Sequence, residues 1–118
     1  MIIGIGMDIV ELQRMEEKLA RNPRLSEKIL TENEYAVFKN LSFKRQVEFL
    51  AGRFAAKEAY AKAVGTGIGA QISLQDIEVA TDELGKPFIK EPQSEGVHLT
   101  ITHSSQNALA QVIIEKVT

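Results

Sequence analysis

The sequence predicts an α+β fold in which a small, antiparallel-rich sheet packs on one long helix and several short helices. Two observations carry this prediction. Residues 43–64 contain no proline, one glycine and abundant Ala, Lys, Glu and Arg, which favours one long helix ended by Gly65. After the glycine-rich segment 65–69, the apolar residues change from helical spacing to near-alternation, which is typical of strands. We find neither repeats nor a linker, so we expect a single domain over residues 1–118.

The part of the chain before the long helix predicts one short strand and three short helices. Apolar residues alternate around Gly4 and Gly6, which indicates the strand. Asn22-Pro23 separates the first two helices, and Thr31 with Glu34 has the spacing of a capping box. The predicted bounds are 2–9 for the strand, followed by 11–20, 24–30 and 31–39 for the helices.

The second half of the chain predicts antiparallel strands. The turn sequence at residues 82–87 lies between short apolar runs, which indicates a hairpin. Residues 97–102 alternate between apolar and polar side chains, and residues 109–115 have a continuous apolar centre, so each predicts a further strand.

Composition narrows the class of protein. Residues 1–62 carry 11 Lys/Arg against 9 Asp/Glu, whereas residues 63–118 carry 3 against 7, so the helical half should meet an anionic partner. No aromatic-rich basic patch supports nucleic acid as that partner. No apolar run is long enough to cross a membrane and no signal peptide is evident, so we expect a cytoplasmic location. The small core also favours self-association.

Two acids from distant segments, Asp8 and Glu58, are candidate ligands of a metal ion. Glu58 falls within an apolar stripe of the long helix, where an unpaired carboxylate is costly; the stripe comprises Val47, Leu50, Ala51, Phe54 and Ala61. Asp8 shares its strand face with Gly4 and Gly6, which permit close approach of another element. Hard oxygen ligands suit Mg²⁺. Two alternatives stay open: an ion pair of Glu58 with Lys62, and a helix cap for Asp8.

His103 continues the parity of Leu99 and Ile101, which places its imidazole at a strand end on the apolar face. A lone histidine there is more often hydrogen-bonded and structural than catalytic. Residues 65–69 look like a phosphate loop, but they follow a helix and lack the Walker lysine. We therefore interpret them as a helix end and a connection.

A line of basic residues forms the second surface feature, which we call the basic ridge. It could be a solvated face relieved by Glu16, Glu17 and Glu27. It could instead dock an acidic helical protein, since complementary charge speeds encounter. The ridge consists of Arg14, Lys18, Arg21, Arg24 and Lys28.

Three segments, taken together and in order, resemble the signatures of the 4′-phosphopantetheinyl transferases. They are residues 4–11 (GIGMDIVE), 54–63 (FAAKEAYAKA) and 101–104 (ITHS). The similarity runs from the first strand to the last and is typical of the short, single-domain class of this family. It implies transfer of the phosphopantetheine arm of coenzyme A to a serine of an apo acyl carrier protein in fatty acid biosynthesis, with release of adenosine 3′,5′-bisphosphate.

The resemblance also implies roles for individual residues. Asp8 and Glu58 match the family's Mg²⁺ ligands, and Lys62 could neutralise the same phosphates, so Glu58 and Lys62 are the expected catalytic residues. Either Glu58 or a metal-bound water could take the serine proton. The other residues expected to contact coenzyme A are Lys44, Arg45, Arg53, Gly65, Thr102, His103 and Ser104.

Partners follow from the same resemblance. Family members of this length are similar in being homotrimers with sites at subunit interfaces. Carrier proteins are acidic helical bundles, so the basic ridge gains a partner, with Leu25 and Phe54 as apolar anchors. Two rival functions remain: a non-catalytic module that binds an acidic protein, and a magnesium-dependent phosphohydrolase that cleaves coenzyme A.

Overall fold

A computed structural model describes residues 1–117, and Thr118, the last residue of the predicted domain, lies outside them. The described residues form an α+β fold with the predicted order of elements. The elements are β1 (Ile2–Glu11), α1 (Leu12–Arg21), α2 (Leu25–Ile29), α3 (Glu32–Phe38), α4 (Phe43–Val64), a short 3-10 turn (Leu74–Asp76), β2 (Glu78–Thr81), β3 (Pro87–Glu91), β4 (Val97–His103) and β5 (Asn107–Glu115).

Local capping sets the ends of the helices where the sequence predicted them. The capping box is formed, because Thr31 Oγ1 accepts from Glu34 N at 3.3 Å and Glu34 Oε1 accepts from Thr31 N at 2.8 Å. Helix α4 begins after Ser42, whose side chain accepts from Arg45 N at 3.4 Å. It ends at Gly65, which has a φ of 104° that favours glycine.

The strands form an antiparallel sheet in the order β1-β5-β4 and a separate β2-β3 hairpin. The register places Asp8 opposite Ala110, which in turn lies opposite Ile101 on β4. Side chains of a strand alternate between the two faces of its sheet, and His103 follows Ile101 by two residues. Asp8 on β1 and His103 on β4 therefore lie on the same face of the three-stranded sheet. That face packs against α4.

Helix α4 crosses β1 at very close range over two glycines. A Cβ added at Gly4 or at Gly6 would lie closer than 3.0 Å to the backbone oxygen of Ala63 or of Ala59, respectively. Only glycine permits this approach of backbone to backbone. The predicted glycine-lined face of the strand is therefore confirmed, and it brings the C-terminal half of α4 beside Asp8.

Strand β1 is longer than predicted, because it continues through Asp8 to Glu11. Glu11 is the N-cap residue of α1 and makes no side-chain capping bond. The alternative in which Asp8 caps this helix is therefore wrong. Strand β5 also starts earlier than predicted, at Asn107, because Asn107 pairs with Glu11 on β1 and Ala108 to Ala110 pair with both neighbouring strands.

Within residues 1–117, no helix packs on the outer face of the three-stranded sheet. Four apolar side chains of β1 lie on it, and each is between 51% and 60% exposed. They are Ile3, Ile5, Met7 and Ile9. We call this surface the outer sheet face. Separately, no helix within residues 1–117 combines the length and apolar character needed to cross a membrane.

Candidate active site

Asp8 and Lys62 meet where α4 crosses β1. Lys62 Nζ donates to Asp8 Oδ1 at 3.0 Å and to the backbone oxygen of Met7 at 3.1 Å. The Asp8 side chain is largely buried, whereas half of the Lys62 side chain is exposed. The alternative in which Lys62 pairs with Glu58 is not what the structure shows, because the ammonium turns to β1 instead.

Glu58 lies beside this pair. Its pKa is raised mainly by burial and further by the negative charge of Asp8, while the charge of Lys62 opposes the shift. The two carboxylates are thus near enough to repel each other. Glu58 is partly buried, as is Phe54 of the same apolar stripe, whereas Lys57 and Ala59 on either side of it are buried. Its position at the edge of the helix leaves the carboxylate accessible to a ligand.

The donor chemistry of this pair fits a hard divalent cation. Two carboxylates repel each other, and one ammonium, on Lys62, lies at hydrogen-bond distance from only one of them, Asp8. Residues 1–117 contain no cluster of three or more His, Asp or Glu side chains suited to a metal. Mg²⁺ does not need such a cluster, because it commonly binds one or two carboxylates and keeps water and substrate phosphates as its other ligands.

A second group of predicted residues surrounds His103, which ends β4. His103 Nε2 lies 3.2 Å from the backbone oxygen of Glu48, and since a carbonyl only accepts, this nitrogen carries the proton. Lys44 and Arg45 are exposed and lie within about one turn of Glu48 on α4. His103, Thr102 and Ser104 line a shallow cavity of about 220 Å³.

The chain does not bring these two groups together. Glu48 and Glu58 are ten residues apart on α4, which is about 15 Å along the helix axis at 1.5 Å per residue. Arg53 belongs to neither group, because it lies about 140° around α4 from Glu58. Its guanidinium stacks on Phe49, 4.2 Å from the centre of the ring. Gly65 ends α4 one turn after Lys62, and among the described residues other than its chain neighbours none comes within 4 Å of the position that a Cβ on Gly65 would take.

The residues predicted to bind a protein partner do come together. Arg14, Lys18, Leu25 and Phe54 line one cavity of about 560 Å³, which has apolar walls from Met15 and Ile29. Arg21 adjoins it beside Lys18 and Leu25, and Lys28 lies with Arg24 further along.

Salt bridges relieve little of the positive charge of the basic ridge. Arg24 pairs with Glu27 at 3.6 Å, on an exposed surface where such a pair contributes little. Within residues 1–117, no other member of the ridge forms a salt bridge. Of the three acids expected to relieve the ridge, only Glu27 forms a salt bridge with a ridge residue within residues 1–117.

The sequence-based prediction missed a buried ion pair. Lys57 Nζ lies 2.6 Å from Glu34 Oε1, and both side chains are almost completely buried. A partial signal was present, because Lys57 follows Leu50 by seven residues and Phe54 by three, which places it on the flank of the apolar stripe of α4.

Comparison with known proteins agrees with the fold and shows the family. Residues 4–114 match the family model described as the 4′-phosphopantetheinyl transferase superfamily. The chain is 59% identical to the holo-[acyl-carrier-protein] synthase of Anoxybacillus flavithermus, with 98% of each chain covered. It is similar in structure to a holo-(acyl-carrier-protein) synthase of Bacillus anthracis solved in complex with CoA (3′,5′-ADP), with a TM-score of 0.92, 54% identity and 99% of each chain covered. The Helicobacter pylori holo-[acyl-carrier-protein] synthase, solved in complex with coenzyme A, gives a TM-score of 0.82 at 30% identity, with 94% of this chain and 99% of that chain covered. The chain belongs to the 4′-phosphopantetheinyl transferase superfamily.

Proposed function

We propose that this protein transfers the 4′-phosphopantetheine moiety of coenzyme A to a serine of apo acyl carrier protein, in fatty acid biosynthesis. The products are holo acyl carrier protein and adenosine 3′,5′-bisphosphate. The observation that carries the proposal is the meeting of Asp8, Glu58 and Lys62 at the crossing of α4 and β1. The names of the relatives, and the coenzyme A in two of their solved structures, supply the substrates.

The reaction forms one bond and breaks one. The serine oxygen attacks the phosphorus that carries pantetheine, and the bond from that phosphorus to the bridging oxygen of the pyrophosphate breaks. Mg²⁺, when held by Asp8 and Glu58, would neutralise charge on the pyrophosphate. Lys62 can leave Asp8 to place its ammonium on the departing phosphate, since half of its side chain is exposed.

Glu58 suits the removal of the serine proton. In the metal-free protein, burial and the charge of Asp8 raise the pKa of Glu58, which makes this carboxylate a stronger base than an ordinary one. A water molecule in the same site is the other candidate for this step. In either case the proton leaves the hydroxyl as the new phosphoester bond forms.

The proposed assembly is a homotrimer with active sites at the subunit interfaces. Two features of one chain support it. The His103 group, with Lys44 and Arg45, lies about 15 Å along α4 from the Asp8 group, so a neighbouring copy could bring the second group to the first. The outer sheet face exposes four large apolar side chains in one row, which an adjacent subunit would cover. Arg53 and Gly65 remain proposed contacts of coenzyme A.

The basic ridge is the proposed docking surface for the carrier protein. Its cavity combines the cations of Arg14 and Lys18 with apolar walls that include Leu25 and Phe54. An acidic helix with an apolar side would match both parts. The cytoplasm remains the predicted location.

The deciding experiment is a transfer assay. The protein is incubated with coenzyme A, Mg²⁺ and apo acyl carrier protein, and the carrier is then weighed by mass spectrometry. We expect a mass gain of one phosphopantetheine that disappears when a chelator is added. A carrier of unchanged mass favours the binding module, whereas free phosphopantetheine produced without any carrier favours the phosphohydrolase.

A further inference from the structure

Lys57 immediately precedes Glu58 on α4 and is inaccessible to solvent, as is nearly all of Glu34. Burial lowers the pKa of Lys57, and the negative charge of Glu34 opposes that shift. Two charges in the interior are expensive unless every polar atom is satisfied. Their arrangement therefore calls for an explanation that the proposed chemistry does not supply.

Three backbone groups complete the hydrogen bonding of the pair. Lys57 Nζ also donates to the backbone oxygen of Ile29, at the end of α2, at 2.7 Å. Glu34 belongs to the first turn of α3 and accepts from Thr31 N. Its other oxygen accepts from Val79 N on β2 at 2.7 Å. One ion pair thus ties α4 to α2, α3 and β2.

The direction of this attachment matters for Glu58. Successive residues of a helix are about 100° apart, so Lys57 lies about 160° around α4 from Ala59, whose backbone contacts Gly6. Helix α4 is therefore held on two nearly opposite sides, by backbone packing on β1 and by the ion pair. Glu58 lies about 100° from each of these attachments.

We infer that Lys57 and Glu34 are positioning residues for Glu58: their ion pair sets the rotation of α4 about its axis and so aims the Glu58 carboxylate at Asp8. The inference rests on the proposed function, in which Glu58 acts together with Asp8. A rotation of α4 by a small angle would leave the glycine contact largely intact but would separate the two carboxylates. A misplacement of about 1 Å at a reacting group can cost about 100-fold in rate.

A neutral pair separates positioning from stability. Glu34→Gln combined with Lys57→Met removes both charges and keeps the side-chain volumes similar. It also leaves the backbone oxygen of Ile29 and one of the two backbone N–H groups at Glu34 without a partner, so we expect a moderate loss of stability. Ile89→Val is the control for a conservative change in the core, because Ile89 is buried on β3 and its side chain is apolar and forms no hydrogen bond with the pair. For each protein we would measure thermal unfolding, kcat and KM for transfer, and Mn²⁺ binding by electron paramagnetic resonance without substrates.

We expect the neutral pair to unfold cooperatively at a lower temperature than the wild type, with kcat, measured well below that temperature, lowered by about 10- to 100-fold and with weaker Mn²⁺ binding. KM for the carrier should change by a smaller factor than kcat, because Arg14, Lys18 and Arg21 lie on α1, which the ion pair does not hold. Ile89→Val should match the wild type in kcat. A folded neutral pair with wild-type kcat and wild-type Mn²⁺ binding would overturn the inference.

If the neutral pair does not fold, Lys57→Arg repeats the test with the charge kept and the head group enlarged. Reduced kcat supports positioning, and unchanged kcat contradicts it. Absence of transfer by the wild type would instead refute the proposed function, while the Mn²⁺ titration would still test the aim of Glu58.

Discussion

The ammonium of Lys62 lies 3.0 Å from the carboxylate of Asp8, across 54 residues of sequence. The same ammonium donates to the backbone oxygen of Met7, so in the ligand-free protein Lys62 is the counter-ion of Asp8 and holds α4 against β1. In the proposed reaction it changes partner to a phosphate. Lys62 therefore has two roles: it pairs with Asp8 in the ligand-free protein, and it binds the phosphate in the proposed reaction.

Replacement of Lys62 by methionine should separate activity from stability. We expect transfer to fall by about 100-fold, because the cation that faces the leaving phosphate is lost. Stability should change by less than about 1 kcal/mol, since the pair is half-exposed on the lysine side. Transfer assays and thermal unfolding measure the two effects. Lys86→Met, in the exposed β2–β3 turn, is the control, and equal activity of the two variants would contradict the role of Lys62.

Substitution of Gly6 tests the close crossing of α4 and β1. In Gly6→Ala the new methyl group would overlap the backbone oxygen of Ala59, and backbone cannot easily move aside. We expect a loss of about 3 kcal/mol in the free energy of unfolding, together with a loss of transfer as α4 moves away from Asp8. Urea denaturation measures the first effect.

Gly69→Ala is the matched control for Gly6→Ala. No atom lies within 4 Å of the position that its Cβ would take. Its stability should stay within about 0.5 kcal/mol of the wild type. Equal destabilisation by both changes would show that glycine flexibility, rather than the crossing, is what the Gly6 position requires.

Glu58→Gln should abolish transfer and yet stabilise the metal-free protein at neutral pH. A raised pKa in the folded state means that the folded protein holds the proton of Glu58 more tightly than the unfolded chain does. The wild type is therefore free of this cost below pH 4.5, the ordinary value, and loses stability as pH rises through the raised pKa. The glutamine variant lacks that loss.

Thermal unfolding of Glu58→Gln and wild type across pH 4–8 checks this sign. The variant should exceed the wild type at neutral pH, and the difference should shrink toward acid. Mg²⁺ should stabilise the wild type more than the variant, because a neutral amide is a poor ligand for it. Transfer should fall by about 100-fold or more. Full activity of the variant would refute the metal assignment.

Charge reversal on the basic ridge should weaken only the protein partner. For Arg14→Glu combined with Arg21→Glu, we expect affinity for the apo carrier to fall by about tenfold, with a larger effect at low salt. Calorimetric titrations with carrier and with coenzyme A compare the two substrates. Lys86→Glu is the control for general charge, and equal losses for both substrates would show that the ridge does not discriminate between them.

A charge placed on the outer sheet face should break the proposed trimer. Ile5 is 60% exposed in the single chain, and Ile5→Asp would bury a carboxylate if an adjacent subunit covered that face. We expect monomers in sedimentation velocity and a loss of transfer, because the His103 group would no longer meet the Asp8 group. Val37→Asp, on α3, is the control, since Val37 is similarly exposed away from this sheet. A trimer that survives Ile5→Asp would place the interface elsewhere.

Most of the secondary structure could be predicted from local sequence, because the ends of the helices depend on residues close to them in the chain. Thr31 with Glu34, and Gly65 after Val64, act within a few residues, so the bounds of α3 and α4 followed from sequence spacing. Asp8 was expected on the inner face because strand parity is strict. The extension of β1 to Glu11 was missed because it depends on pairing with β5, more than 90 residues away.

The family resemblance, the order of the elements and the identity of the acids follow from the amino-acid sequence alone. The pairing of the charges depends on the three-dimensional packing: Lys62 pairs with Asp8 and Lys57 with Glu34, while Glu58 forms no salt bridge with the described residues. Sequence alone does not predict this pairing, because a helix presents side chains in every direction. The surroundings of each side chain depend on the elements that pack around α4, which are β1, α2, α3 and β2. They place Lys57 in the core, Lys62 against β1 and Glu58 beside Asp8.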